Sequence, residues 1–128
     1  MKKKQRTDGQ VTGILSPLLE KFRLNKAAGY IEPHNSVLDI GCGCAKILKI
    51  LKEPLEYTGM DTDKEIISVN SIRFPTGKFY CANIENEKTA AEDHKFDIVL
   101  MLAVIEHFNE PEAVLLKLRK MLKPQALY

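Results

Sequence analysis

The chain has 128 residues, 45% hydrophobic and 28% charged, with a formal net charge of +2. That length suits one domain with a real core, the composition excludes wholesale disorder, and so small a charge gives no footing for a nucleic-acid partner. No run reaches the ~20 apolar residues of a membrane helix, so no membrane span is expected.

The basic cluster Lys2-Lys3-Lys4 with Arg6 is read as a flexible N-terminal tail over residues 1–13, ahead of one folded unit over 14–128. It lacks the apolar centre of a secretory signal, so a cytoplasmic location is expected. Cys42, Cys44 and Cys81 cannot all pair, and C-x-C with one distant cysteine offers no fourth metal ligand. Reduced thiols and no metal are expected.

Elements then alternate at short intervals. Ser16 and Pro17 open a helix running to about Gly29, with Leu18, Leu19, Phe22, Leu24 and Ala27 or Ala28 on its apolar face. Val37 to Ile40 read as strand one. A helix from about Ala45 to Lys52 turns Ile47, Leu48, Ile50 and Leu51 inward and stops at Pro54. Tyr57 to Met60 form strand two, and Asp63 caps a helix through about Arg73. Lys78 to Ala82 form strand three, and a weak helix or loop covers Glu85 to His94. Phe96 to Leu102, the most apolar run, reads as a strand covered on both faces. Pro111 opens a last helix with Val114, Leu115, Leu118, Met121 and Leu122 inward, ended by Pro124. Ala126-Leu127-Tyr128 look like the start of a fifth strand. Alternation of this kind predicts an α/β fold with a mainly parallel sheet.

The chemistry concentrates at Val37-Leu38-Asp39-Ile40-Gly41-Cys42-Gly43-Cys44-Ala45, followed twenty residues after Gly41 by Asp61. An apolar strand, a glycine turn, a helix and a second strand ending in an acid form a nucleotide- or nucleoside-binding βαβ unit. Glycines let backbone approach a ligand, and a strand-tip carboxylate can accept hydrogen bonds from two ribose hydroxyls.

Taken in order, these segments resemble the class I S-adenosylmethionine-dependent methyltransferase superfamily, in particular its small-molecule and lipid group. The resemblance rests on Val37–Gly43, on Tyr57–Asp63, on Phe79–Ile84, on Phe96–Leu100 running into Val104-Ile105-Glu106-His107, and on Leu118–Pro124. It covers roughly residues 14 to 128. It implies a Rossmann-like, doubly wound parallel sheet of order 3-2-1-4 with a stub of strand 5, and S-adenosyl-L-methionine as cofactor. By the same resemblance Asp39 with the Gly41-Cys42-Gly43 backbone would hold the methionine end, and Met101 would lie near it. Asp61 would hold the ribose, Thr62 would lie beside the adenine, and Asn83 with the Ile84 N–H would meet the adenine edge. His107, beside Glu106, is the candidate general base. The implied reaction is methyl transfer to a small-molecule or lipid acceptor.

Ala45 stands where the family usually has a small residue, often Gly, a mild change. Asn83 replaces a carboxylate, and Gln125-Ala126 replace a Gly-Gly pair. The chain supplies fewer strands than the superfamily's seven, so strand four is expected at an apolar edge that pairs with a second copy or a partner chain. A truncated cofactor-binding module acting through a partner is the alternative reading. A dehydrogenase fragment binding NAD would share Gly41, Gly43 and Asp61, but Lys46 stands where the dinucleotide fingerprint wants its third Gly or Ala.

Overall fold

The structure is a computed structural model that describes residues 17–51, 55–102 and 104–124. Four parallel strands, β1 (Ser36–Ile40), β2 (Glu56–Asp61), β3 (Lys78–Cys81) and β4 (Ile98–Leu100), lie in the order β3-β2-β1-β4. The helices are α1 (17–28), α2 (Ile47–Ile50), α3 (Lys64–Arg73) and α4 (Pro111–Arg119), with short 3-10 turns at Ala90–Asp93 and Ile105–His107. The expected α/β order 3-2-1-4 is the one observed.

β1 is buried at every position because it has a parallel neighbour on each side and helices over both faces. Alternation divides its residues. Leu38 and Ile40, with Met60 of β2, pack against Val114, Leu118 and Met121 on the α4 side. Val37, with Tyr57 and Ile98, packs against Ala27, Ala45, Ile47 and Ile67 on the other. The strands therefore end together, and their C-terminal tips carry the loops that form the site.

Two local devices fix those loops. Asp63 Oδ1 accepts from the backbone N–H groups of Glu65 and Ile66 at 3.0 and 3.2 Å, so α3 starts where the sequence predicts. At Gly59 a Cβ would sit 2.9 Å from Cys42 Sγ and 3.0 Å from Phe79, so only glycine lets β2 meet the turn after β1. At the opposite end of the sheet Asp97 is structural. Its Oδ2 accepts from Ser36 N at 2.7 Å and it pairs with Lys123, and the Ser36 bond above all holds its carboxyl below the usual range.

Several expectations are corrected. On α1, Leu18 and Phe22 are 67% and 62% exposed and Leu19 is exposed too; only Ala27 is buried. The helix meets the sheet through its last turns alone, which leaves a groove of about 460 Å³ between Phe22, Ala27 and Tyr30 and the residues of β4. The helix after β1 is four residues long, not eight, because residues 43–46 form turns with Ala45 in the left-handed region. Strand four is three residues rather than seven. Phe96 instead makes a single parallel bridge to Leu122, its N–H donating to Met121 O at 2.7 Å and its carbonyl accepting from Lys123 N at 2.8 Å. The last helix stops at Arg119, well before Pro124, and Leu115 faces solvent. The tail, the Ser16 cap, the Pro54 stop and the fifth-strand stub at Ala126–Tyr128 lie outside the described residues.

Candidate functional site

The site is built around the turn after β1. Gly41 and Gly43 have φ of 71° and 52°, a region open to glycine at no steric cost. Ala45 also sits there, at φ 54°, with its methyl fully buried, so this alanine carries backbone strain of about 1–2 kcal/mol and is not the mild change its size suggests. The turn is clamped from inside. Gly41 N and Cys42 N both donate to Met60 O, at 2.8 and 3.0 Å. Gly43 N donates to Asp61 Oδ2 at 3.0 Å. From α3 the buried Asn70 amide donates to Gly43 O at 2.7 Å. The N–H groups of Gly41, Cys42 and Gly43 are thus already spent, and two carboxylates, Asp39 and Asp61, stand beside them. The turn suits a cationic or neutral ligand, not a pyrophosphate.

Two clefts meet at Gly41, which lines both. The first, about 390 Å³, lies over the tips of β1, β2 and β3, with Met60, Asp61, Thr62, Asn83, Ile84 and His107 among its walls. The second, about 260 Å³, is walled by Asp39, Cys42, Gly43 and Cys44 together with Glu20 and Arg23 of α1, Lys46 and Leu102. Of these two, the first falls within the roughly 300–1,000 Å³ of small-molecule pockets.

Asp39 is the deepest acid, 5% exposed, and its Oδ2 accepts from the Tyr57 hydroxyl at 2.6 Å. Burial raises its pKa to about 6; the Tyr57 hydrogen bond pulls the other way, and the nearby Asp61 charge adds to the rise. The Cys42 thiol is pushed up to about 12, chiefly by burial and then by Asp39, so it is a neutral packing group. Burial also raises the Tyr57 phenol, which stays a donor.

Asp61 accepts Gly43 N on one oxygen and Asp63 N, at 2.9 Å, on the other. Each oxygen keeps a lone pair for a ligand hydroxyl. Asn83 closes a turn, its Oδ1 accepting from Glu85 N at 2.9 Å and its own N–H donating to Glu87 at 2.7 Å. Beneath it the Lys117 ammonium of α4 donates to Ile84 O and Glu87 O, at 2.7 and 3.0 Å, and pairs with Glu92. His107 stands exposed at the rim of the first cleft, its Nε2 3.7 Å from Glu106.

The structure therefore brings Gly41, Asp61, Thr62, Asn83, Ile84 and His107 to one cleft and Asp39, Cys42 and Gly43 to the adjoining one. Met101 lies in neither. It lines the α1–β4 groove, and its neighbour Leu102 is the residue that reaches the second cleft. Sequence reasoning missed Tyr57, Asn70, Arg23, Lys46 and Val104. Tyr57 opens strand two in the sequence reading with no role in the site, although a hydroxyl inside a buried strand is a signal that something must accept from it. Val104 carried none: its side chain lies over Gly41, where a glycine Cβ would come within 2.2 Å of Cγ1.

Residues 38–128 match the family described as "Methyltransferase domain", and the chain belongs to it. The ubiquinone biosynthesis O-methyltransferase of Vibrio cholerae is 28% identical over 114 residues, a match to 86% of this chain and 46% of that protein. The chain thus spans about half the length of such curated relatives. The plantazolicin methyltransferase BpumL, solved in complex with a monoazolic desmethylPZN analog and SAH, has a TM-score of 0.70 at 23% identity over 97% of this chain and 51% of that one. The [4+2]-cyclase SpnF has a TM-score of 0.68 at 16% identity, over 79% of this chain and 40% of that one. These likenesses show the fold; a cyclase among them means that the reaction has to be argued from the site.

Proposed function

We propose that this chain binds S-adenosyl-L-methionine across the two clefts that meet at Gly41 and serves methyl transfer to a small-molecule acceptor. One observation carries the reading: each cleft presents an acid from the C-terminal end of a strand, Asp61 in the first and Asp39 in the second, around a turn whose Gly41, Cys42 and Gly43 N–H groups are already bonded. That arrangement fits a ligand with a ribose at one end and an ammonium at the other, and rejects a pyrophosphate. The family membership and the ubiquinone O-methyltransferase likeness support it.

In this reading Asp61 accepts from the ribose hydroxyls, while Thr62, Asn83 and Ile84 border the base. Asp39 receives the ammonium, with the Gly41-Cys42-Gly43 backbone beside it, and Arg23 answers the carboxylate. Met101 supports that end only through its neighbour Leu102. The cofactor, when bound, supplies a sulfonium methyl that is already activated for transfer. The protein's part is then to align, to exclude water and, where the acceptor carries a proton, to receive it. In this reading His107, which lines the first cleft, receives it.

Calorimetry with S-adenosylhomocysteine and with NAD tests this. S-adenosylhomocysteine binds and NAD does not, and Asp61→Ala weakens binding at least tenfold, about 1.4 kcal/mol. Binding of NAD alone would overturn the reading.

A further inference from the structure

The two acids of the site are held in different ways. Asp61 takes its hydrogen bonds from backbone N–H groups, which almost any sequence supplies. Asp39 takes its bond from a side chain on the neighbouring strand, the Tyr57 hydroxyl at 2.6 Å. The register explains how the two meet. Tyr57 lies opposite Val37, and Asp39 opposite Gly59, so the phenol runs along one face of the sheet toward the strand tips. Gly59, next on that face of β2, leaves the room, and the Phe79 ring braces the phenol with centroids 5.7 Å apart.

A phenylalanine would fill the same buried space without a hydroxyl to satisfy. Tyr57 is 4% exposed, so its hydroxyl is costly unless bonded, and the bond it makes is to the deepest acid of the site. Fixing Oδ2 also fixes the plane of the carboxylate, and with it the direction of the other oxygen.

We propose that Tyr57 is a positioning residue of this site, aiming the Asp39 carboxylate at the cationic ammonium of an amino-acid-bearing ligand in the second cleft. The proposal rests on the reading of that cleft given above. Other charged or titratable groups facing Asp39 are Asp61 at the tip of β2, Cys42 in the turn, Glu20 and Arg23 on α1, and Lys46 before α2, itself paired to Glu20 at 2.7 Å. None of these makes a side-chain hydrogen bond to Asp39; among the described residues Tyr57 alone does, and that bond favours the charged form.

The test is Tyr57→Phe, titrated from pH 5 to 8 with two ligands: S-adenosylhomocysteine, and 5′-methylthioadenosine, which carries the nucleoside but no ammonium. S-adenosylhomocysteine affinity at pH 7 should fall about tenfold, the scale of one hydrogen bond to a charged group. The affinity for methylthioadenosine should hold. The pH below which S-adenosylhomocysteine binding weakens should rise in the variant, because the charged carboxylate has lost its donor. An equal loss for both ligands, or an unmoved pH midpoint, would make Tyr57 a packing residue and overturn the proposal. Should the variant fail to fold, proton NMR of the wild type decides: the Tyr57 hydroxyl should be slow to exchange and shift as Asp39 titrates, and a freely exchanging hydroxyl refutes the bond. A wild type that binds neither ligand refutes the cleft reading and this proposal together. That outcome differs plainly from one in which wild type and variant bind alike.

Discussion

Replacing Asp39 by Asn should make the protein more stable and its site weaker. The side chain is 5% exposed, and burial raises its pKa from 3.8 to about 6. That shift corresponds to about 3 kcal/mol spent in keeping the folded carboxylate charged at neutral pH. The sign follows from linkage. Between the unfolded value and the folded one the native state binds more protons than the unfolded state, so stability falls as pH rises from about 4 to 6. The cost is absent below that window and complete above it. Asparagine keeps an oxygen for the Tyr57 hydroxyl, which donates at 2.6 Å, and removes the charge. Urea unfolding should therefore show Asp39→Asn more stable by about 1–3 kcal/mol at pH 7.5, with the gain gone by pH 4. In calorimetry the same variant should bind S-adenosylhomocysteine roughly 10- to 150-fold more weakly, since an ammonium loses a charged partner. A variant less stable at pH 7.5, or one whose gain persists at pH 4, would refute the reasoning.

Two further substitutions probe the shell around the site. Gly41→Ala meets a φ of 71° and places a Cβ 2.2 Å from Val104 Cγ1, so it should cost about 2–5 kcal/mol, read as a fall of at least 8 °C in Tm. Adding Val104→Ala should return the steric part of that loss and leave the backbone part; no recovery would mean that Val104 does not cover the glycine. Lys117→Met strips the donors from Ile84 O and Glu87 O and leaves Glu92 unpaired. It should cost about 2–3 kcal/mol and speed amide hydrogen exchange across residues 83–92; unchanged exchange there would show that α4 does not hold that loop.

Much of the frame was legible because it is local. Asp63 followed by a helical pattern is a cap wherever it stands, and α3 begins where that signal places it. Val37 to Ile40 read as a strand from their own residues, and β1 runs over Ser36–Ile40, buried at every position. The same logic failed where a pattern needs a partner to bury it. Leu18 and Phe22 have helical spacing, but α1 touches the sheet only near Ala27, so spacing predicted a face that packing does not use. Helix spacing also overran at α2, because a periodic pattern does not register that Ala45 is held in the left-handed region.

The order of the elements, the parallel α/β class, the glycine turn and the acid twenty residues beyond it were all readable from the chain. These follow from backbone sterics and hydrophobic periodicity, which act over a few residues. It took the packed sheet to show that the Gly41, Cys42 and Gly43 N–H groups are consumed by Met60 and Asp61, that two clefts meet at Gly41, and that Tyr57 grips a buried Asp39 from eighteen residues away. Charge, desolvation and hydrogen-bond geometry depend on which atoms the sheet sets side by side, and strand register, not sequence spacing, chooses those neighbours.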